Sequence, residues 1–428
     1  MDGVESSFGT HHAQRPKPVN FVRLATPRSC QGGIRDTPMR ILAIHNTYQH
    51  RGGEDGAHEA KVRLLRSKGH DVREIIFDNK TIGRESTIAA GLGATWRHSS
   101  FRAVSAGIES FRPDVLDVDN FFPLASPSIY YAAKSRSIPV VQTLHNFRLL
   151  CPGATFFRNG AACEECIGRS VPLPGILHGC YRKSRFQTAG VALMLASHNL
   201  LGTWHSKVTL FVALTDFARD RFIRGGLPSD RIVVRPNFVT DQGVGEGAGN
   251  YILYVGRLSV EKGIPMLLRA WRAVKTGKLI IVGEGPLEGM VRDEARLSQG
   301  VSYIGRQPAA KVRELMSNAV ALAFPSLWYE GLPGVMIEAF SHGTPVVANR
   351  LGAMEHLVRH TQTGWLVEPG AEAEFAAALI NAQERPQDNV GMRAQARAEF
   401  ESKYNAERGY ELLMSTYARA FALNEQRG

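Results

Sequence analysis

Glu330 and Glu338 are the two carboxylates whose setting points most directly to chemistry. They lie in and just after the run Pro325-Ser326-Leu327-Trp328-Tyr329-Glu330-Gly331-Leu332-Pro333. That run reads as a strand end passing through a turn into a helix, with Pro333 suited to a first helical position and the helix continuing to about His342. Free amides and the positive end of such a helix make a site for a diphosphate. Glu330 falls before the helix and Glu338 inside it, so the pair can serve different parts of one ligand. A second charged set is Gly256-Arg257-Leu258, at the end of a strand-like run, followed by Glu261-Lys262-Gly263 at the start of the next helix. Gly256 lets a backbone approach, and Arg257 with Lys262 can neutralise negative charge building on a departing phosphate group. Taken singly, either cation also reads as an ordinary surface charge.

Three further groups sit in the first half of the chain. Gly52-Gly53 follows an apolar run and precedes a helix expected over Ala57 to Ser67; by itself such a pair marks a turn. His145 follows Val140-Val141-Gln142-Thr143-Leu144 at a strand's carboxyl end, where parallel sheets bind ligands, although a lone histidine there also reads as a structural one. Cys151, Cys163, Cys166 and Cys180 fall within residues 151–180, and Cys163-Glu164-Glu165-Cys166 has the spacing of a tetrahedral zinc pair. Pro152, Gly153, Gly160, Pro172, Pro174 and Gly175 interrupt regular structure in this stretch, so a structural metal could organise it where packing cannot. The outer cysteines do not form a second C-x2-C, which leaves four reduced thiols as the alternative. Cys30 stands apart.

The elements that must position these residues follow from the apolar pattern. Strand-length apolar runs alternate with amphipathic helical segments from Arg40 onward, as in parallel-sheet α/β proteins. A first series comprises Arg40 to His45, Val72 to Phe77, Asp114 to Val118, Pro139 to Leu144, Val208 to Leu214 and Arg231 to Arg235. A second comprises Tyr251 to Val255, Lys278 to Val282, Val301 to Ile304, Ala319 to Phe324, Pro345 to Ala348 and Trp365 to Val367. The glycine-rich run 241–249 between them reads as an interdomain linker. The expected organisation is a tail over 1–38, a first Rossmann-like domain over 39–240 carrying the cysteine loop, and a second over 250–404. A final helix, 405–428, should return to the first domain. Met39, directly before the first strand, is a candidate native start.

Length and charge bound the rest. At 428 residues the chain exceeds what one core supports. The 44% apolar share is ordinary, and no run is long enough to cross a bilayer. The net charge of +11 favours polyanionic partners or an anionic membrane surface. Part of the excess is local: nine basic residues against Asp216, Asp220 and Asp230 between Tyr181 and Arg235. That stretch reads either as a solvated face or, with Arg182 to Phe186 and Trp204, as a surface for anionic lipid.

Together, Gly52-Gly53-Glu54, His145, Arg235-Pro236-Asn237, Gly256-Arg257-Leu258, Glu261-Lys262-Gly263, Gly283-Glu284-Gly285-Pro286 and Glu330-Gly331-Leu332-Pro333 with Glu338 resemble the family-4 retaining glycosyltransferases of GT-B fold. The resemblance runs from Met39 to the C-terminus. It implies two facing Rossmann-like domains with the site in the cleft between them. It implies that Arg257 and Lys262 hold the donor diphosphate, aided by Gly256 and the amides of Gly331 and Leu332. Glu338 would take the ribose hydroxyls and Glu330 the transferred sugar. Gly52 and Gly53 would close over the diphosphate from the other wall, Tyr303-Ile304-Gly305 would approach the base, and His145 would orient the donor sugar. The leaving phosphate would take the acceptor proton, so the transfer requires no cofactor, and any zinc would be structural. Implied partners are a nucleotide-sugar donor and a lipid-linked sugar or polysaccharide acceptor of the bacterial cell envelope. The implied place is the cytoplasm, peripheral on the inner leaflet, where disulfides are disfavoured. A GT-B nucleotide-sugar epimerase or phosphorylase shares this architecture. A non-catalytic polyanion binder would explain the charge, but no nucleic-acid module is present.

Overall fold

The computed structural model describes residues 37–428 except 50, 51, 85, 86, 385, 427 and 428, so the expected tail, but for its last two residues, lies outside the described residues. The first sheet contains β1 (Arg40–Thr47), β2 (Asp71–Asp78), β3 (Val115–Val118), β4 (Val140–Leu144), β5 (Leu210–Ala213) and β6 (Ile232–Val234). Their order is β2-β1-β3-β4-β5-β6, every pair parallel. The second contains β7 (Ile252–Val255), β8 (Leu279–Val282), β9 (Val301–Tyr303), β10 (Ala321–Phe324), β11 (Val346–Asn349) and β12 (Gly364–Val367). It is parallel in the order β9-β8-β7-β10-β11-β12. Helices cover both faces of each sheet, so strands such as Val115–Val118 and Ala321–Phe324 are buried at every residue. That double burial is why they are continuous apolar runs in the sequence. All twelve expected strands form, with ends shifted by a residue or two.

Strand order places the crevices. In the second sheet the order reverses between β7 and β10, and the loops leaving their carboxyl ends are 256–263 and 325–333. In the first sheet it reverses between β1 and β3, above which His45, Asp119 and, from neighbouring β4, His145 emerge.

The helix Ala406–Glu425 lies on the first sheet, burying Leu413, Met414, Tyr417 and Ala420 against Ile41, Ala43, Val141 and Val212. Outgoing and returning chain run side by side, the Val239 amide donating to the Tyr404 carbonyl at 3.0 Å. The glycine-rich run 241–249 has no regular structure, but its glycines serve close approach. The Gly245 amide donates to the His342 carbonyl at 2.9 Å and the Gly249 amide to that of Asn318 at 2.8 Å. A Cβ at Gly245 would fall 2.2 Å from the Ser317 oxygen.

Two expectations about the basic stretch need correction. Trp204 is buried, packed on Phe121 and Tyr130 with its Nε1 donating to Asn199, so it offers nothing to a lipid surface. Nor is the stretch one solvated face. Arg231 and Arg235 are buried, while Arg221 and Arg224 pair with Glu164 at 2.6 and 3.1 Å. Arg182, Lys183, Arg185 and Phe186 remain exposed.

Candidate active site

At the switch point of the second sheet the two loops lock together. The Lys262 ammonium donates to Glu330 Oε1 at 2.6 Å, and the Ser326 hydroxyl donates to the same oxygen at 2.7 Å. Leu327 donates its amide to the Glu261 carbonyl at 2.8 Å. Gly263, at φ +75°, lets the loops touch, since a Cβ there would sit 1.9 Å from the Pro325 oxygen. Glu330 is thus a nearly buried carboxylate with a cation at hand. Burial first, then Glu330 and Glu261, pushes the neighbouring Tyr254 hydroxyl well up, and it donates to the Arg257 carbonyl at 2.9 Å. The Arg257 side chain is exposed and makes no hydrogen bond or ion pair among the described residues. The amides of Gly331 and Leu332 likewise donate to nothing among the described residues.

The helix after this turn is Gly334–Ser341, with Pro333 as its N-cap residue and not its first helical one. Glu338 is on it, exposed at the surface yet ringed by protein mass that pushes its carboxyl up, an effect Arg313 partly opposes. Tyr303 donates its hydroxyl to the Gly283 carbonyl at 3.0 Å, which brings the 303–305 turn beside the 283–286 loop.

The facing wall belongs to the first domain. Gly331 meets it directly: a Cβ there would lie 2.7 Å from the His145 carbonyl oxygen, and the Thr215 hydroxyl donates to the Gly331 carbonyl at 3.3 Å. Beneath His145 is a charge network absent from the sequence reading. Asp119 receives His145 Nε2 at 3.1 Å, His58 Nδ1 at 2.6 Å and the Lys61 ammonium at 2.8 Å. Burial alone would raise the Asp119 acid, but Lys61, His145 and His58 outweigh it and hold the carboxyl well below the usual range. An ionised carboxylate only accepts, so Nε2 of His145 carries the proton in this contact. Lys61 also reaches Asp117 at 2.6 Å, and Asp117 accepts from Tyr417 of the C-terminal helix.

Gly52 and Gly53 do more than turn the chain. The helix begins at Gly53, and Asp55 accepts the Gly52 amide at 2.8 Å while holding His45 Nε2 at 2.8 Å. Burial would raise Asp55, but His45 and the amides of Gly52 and Tyr48 overcome it and lower it. A Cβ at Gly53 would meet nothing among the described residues, so packing within the chain does not demand a glycine there.

His45, His58 and Asp119 bring ligand atoms within 4.8 Å of one another, a spacing that would admit a divalent ion. The rings argue against one. They stack with centroids 4.6 Å and planes 12° apart, so their in-plane lone pairs lie in separate, nearly parallel planes and do not meet at one ion, and Lys61 already neutralises Asp119.

The four cysteines are free thiols and, with Phe156, Pro174 and Gly175, line one cavity of ≈ 20 Å³. They ring it more loosely than the histidine group converges. Burial pushes the Cys166 thiol up to about 11, an effect the adjacent Gly175 backbone partly opposes, and burial raises Cys180 as well. A short ribbon, Phe157–Arg158 with Ala161–Ala162, leads into Cys163 through Asn159-Gly160 at φ 53° and 81°. Asn-Gly is the hairpin signal that would have revealed it. This loop touches the opposite wall. Tyr329, next to Glu330, packs its ring 6.1 Å from Phe156 and 4.7 Å from Phe217, both of the first domain.

Comparison with known proteins agrees with this architecture. Residues 52–242 match the family model described as Glycosyltransferase Family 4, and 249–385 the one described as Glycosyl transferases group 1. The amylovoran biosynthesis glycosyltransferase AmsK of Erwinia amylovora is 28% identical over 39% of this chain and 44% of its own. The phosphatidyl-myo-inositol mannosyltransferase of Mycobacterium leprae is 30% identical over 42% of this chain and 51% of its own. The chain thus matches about half the length of these relatives. Anabaena Alr3699/HepE, solved with UDP and glucose, superposes with a TM-score of 0.62 at 18% identity, over 89% of this chain and 99% of that one. The lipopolysaccharide outer core galactosyltransferase WaaB in its apo form gives 0.60 at 17% identity, over 90% of this chain and 99% of that one. The two facing parallel-sheet domains thus have the GT-B fold, and each contains a segment that matches a glycosyltransferase family model.

Proposed function

We propose that the protein transfers a sugar from a nucleoside-diphosphate donor to an acceptor hydroxyl, retaining the anomeric configuration. The observation that carries this reading is the Lys262–Glu330 pair at the second sheet's switch point, set in a turn whose next residue abuts His145. Arg257, its side chain exposed and unpartnered among the described residues, takes the diphosphate together with Lys262, and the open amides of Gly331 and Leu332 add donors. Gly256 gives the phosphates access to the backbone, and Gly52 and Gly53 close from the other side. Glu338 accepts from the ribose hydroxyls, Glu330 from hydroxyls of the transferred sugar, and Tyr303 to Gly305 lie by the base. His145, steadied by Asp119, orients the sugar near the reacting carbon.

In the transfer, the bond from the anomeric carbon to the diphosphate oxygen breaks and the acceptor oxygen bonds to that carbon on the same face. The acceptor proton passes to the leaving diphosphate. No protein carboxylate becomes attached, in contrast to retaining glycosidases, and no cofactor enters the step. Closure of the domains excludes water that would hydrolyse the donor.

The acceptor in this reading is a lipid-linked sugar or polysaccharide intermediate of envelope synthesis, met at the inner leaflet by a cytoplasmic protein. Support comes from the surface of the first domain, where exposed Leu173, Leu177, Phe186, Leu200 and Leu201 accompany Arg182, Lys183 and Arg185. No helix among the described residues is long and apolar enough to cross a membrane. The names of the two relatives, one in amylovoran biosynthesis and one acting on phosphatidyl-myo-inositol, fit such acceptors.

Thermal-shift measurement against UDP-, GDP-, ADP- and dTDP-sugars tests the donor site, since a bound donor stabilises in proportion to its saturation. UDP-sugars come first because a structural neighbour holds UDP. A shift with at least one sugar nucleotide is expected; none with any, together with no turnover, overturns the reading.

A further inference from the structure

We propose that Cys151, Cys163, Cys166 and Cys180 bind one zinc ion as four thiolates, and that this ion seats the turn carrying Glu330. Thiols from three separate stretches of the loop line a single cavity of ≈ 20 Å³, room for about one water-sized sphere and so for one ion. The backbone closes tightly around them. A Cβ at Gly175 would come 2.9 Å from Pro152 and 3.5 Å from the Cys166 sulfur, and one at Gly153 3.1 Å from the Cys180 carbonyl oxygen. The Gly175 backbone thus lies directly against the Cys166 sulfur, where the surrounding main chain can orient a metal-bound thiolate. Glu165, the carboxylate at the rim, is engaged by Arg158, which leaves sulfur as the available donor. Four soft sulfur ligands select zinc over hard cations.

Regular structure in the loop amounts to a two-residue ribbon and the helix Leu173–Leu177, too little to fix its shape by packing. Binding releases four thiol protons and draws the sulfurs inward to about 2.3 Å from the ion. The loop so fixed presents Phe156 to Tyr329, and Tyr329 precedes Glu330. Any effect on turnover rests on the donor reading above; the metal measurement does not.

The experiment uses full-length protein made without a histidine tag. Elemental analysis should find about one zinc per chain, and X-ray absorption a shell of four sulfurs at about 2.3 Å. Cys163→Ser with Cys166→Ser should lose that zinc, while Cys30→Ser keeps it. Stripping the metal with a mercurial should speed hydrogen exchange in 151–180 and also in 326–332. Zinc below about 0.2 equivalents after incubation with zinc salt, iron in its place, or nitrogen and oxygen ligands would overturn the site. Unchanged exchange in 326–332 would overturn the link to Glu330.

Discussion

The backbone of Gly331 lies against that of His145, so close that a methyl group at 331 would stand 2.7 Å from the His145 carbonyl oxygen. The contact joins the turn carrying Glu330 to the loop carrying His145. Gly331→Ala has backbone and not a flexible side chain to displace. It should cost about 1–3 kcal/mol in urea denaturation and lower turnover, because separating the loops also moves His145. Stability and turnover both equal to wild type would contradict this geometry.

Glu330→Ala removes the carboxylate but frees the Lys262 ammonium that it holds at 2.6 Å. Turnover should fall by about 10²-fold or more. UDP affinity, read by calorimetry, should hold or rise, since the released cation can face the diphosphate. Loss of UDP binding along with turnover would place Glu330 in the nucleotide site instead of the sugar site.

Glu338 titrates above the usual carboxylate range because the surrounding protein desolvates it. Its ionised form is the better acceptor for ribose hydroxyls. UDP affinity should therefore weaken on acidification at a pH higher than the ordinary glutamate value of about 4.3. Glu338→Gln should bind more weakly and lose that step in the pH profile. An identical profile in the variant would remove Glu338 from the ribose site.

Asp119 is buried and held well below the usual carboxylate range by Lys61, His145 and His58. Asp119→Asn leaves Lys61 with Asp117 alone and should cost about 3–5 kcal/mol at neutral pH. A carboxyl lowered in the folded state contributes stability above its unfolded value of about 3.9 and loses it as the pH falls through the lower folded value. The gap between wild type and variant should therefore narrow below about pH 4. A gap constant with pH would mean that packing, not charge, is what the substitution removes.

The frame of the molecule was legible because parallel strands are buried on both faces. Runs such as Val140 to Leu144 and Lys278 to Val282 could hardly be anything else. The pairing of the two switch-point loops was legible because their residues are neighbours in sequence: Glu330 and Glu338 share a turn and its helix, and Arg257 and Lys262 share one loop. The support under His145 was not. Lys61 meets Asp119 across 58 residues of chain, and a lysine or aspartate without its partner in view reads as a surface charge. Trp204 failed for the same reason, since its indole finds Asn199 only once the helix preceding it is folded. Tyr329 belongs to the Glu330 turn by sequence and to an aromatic cluster of the other domain by contact.

The helix Ala406–Glu425 finishes the sheet with which the described chain begins. On the ribosome, β1 to β6 emerge first but lack part of their cover at Ile41, Ala43, Val141 and Val212 until residues 406–425 have been made, by which time the second domain has everything its own core needs. The domain translated first is therefore completed last. Nascent chains halted before residue 406 should be cut readily by protease within 39–240 while 250–404 resists, a pattern that full-length synthesis erases.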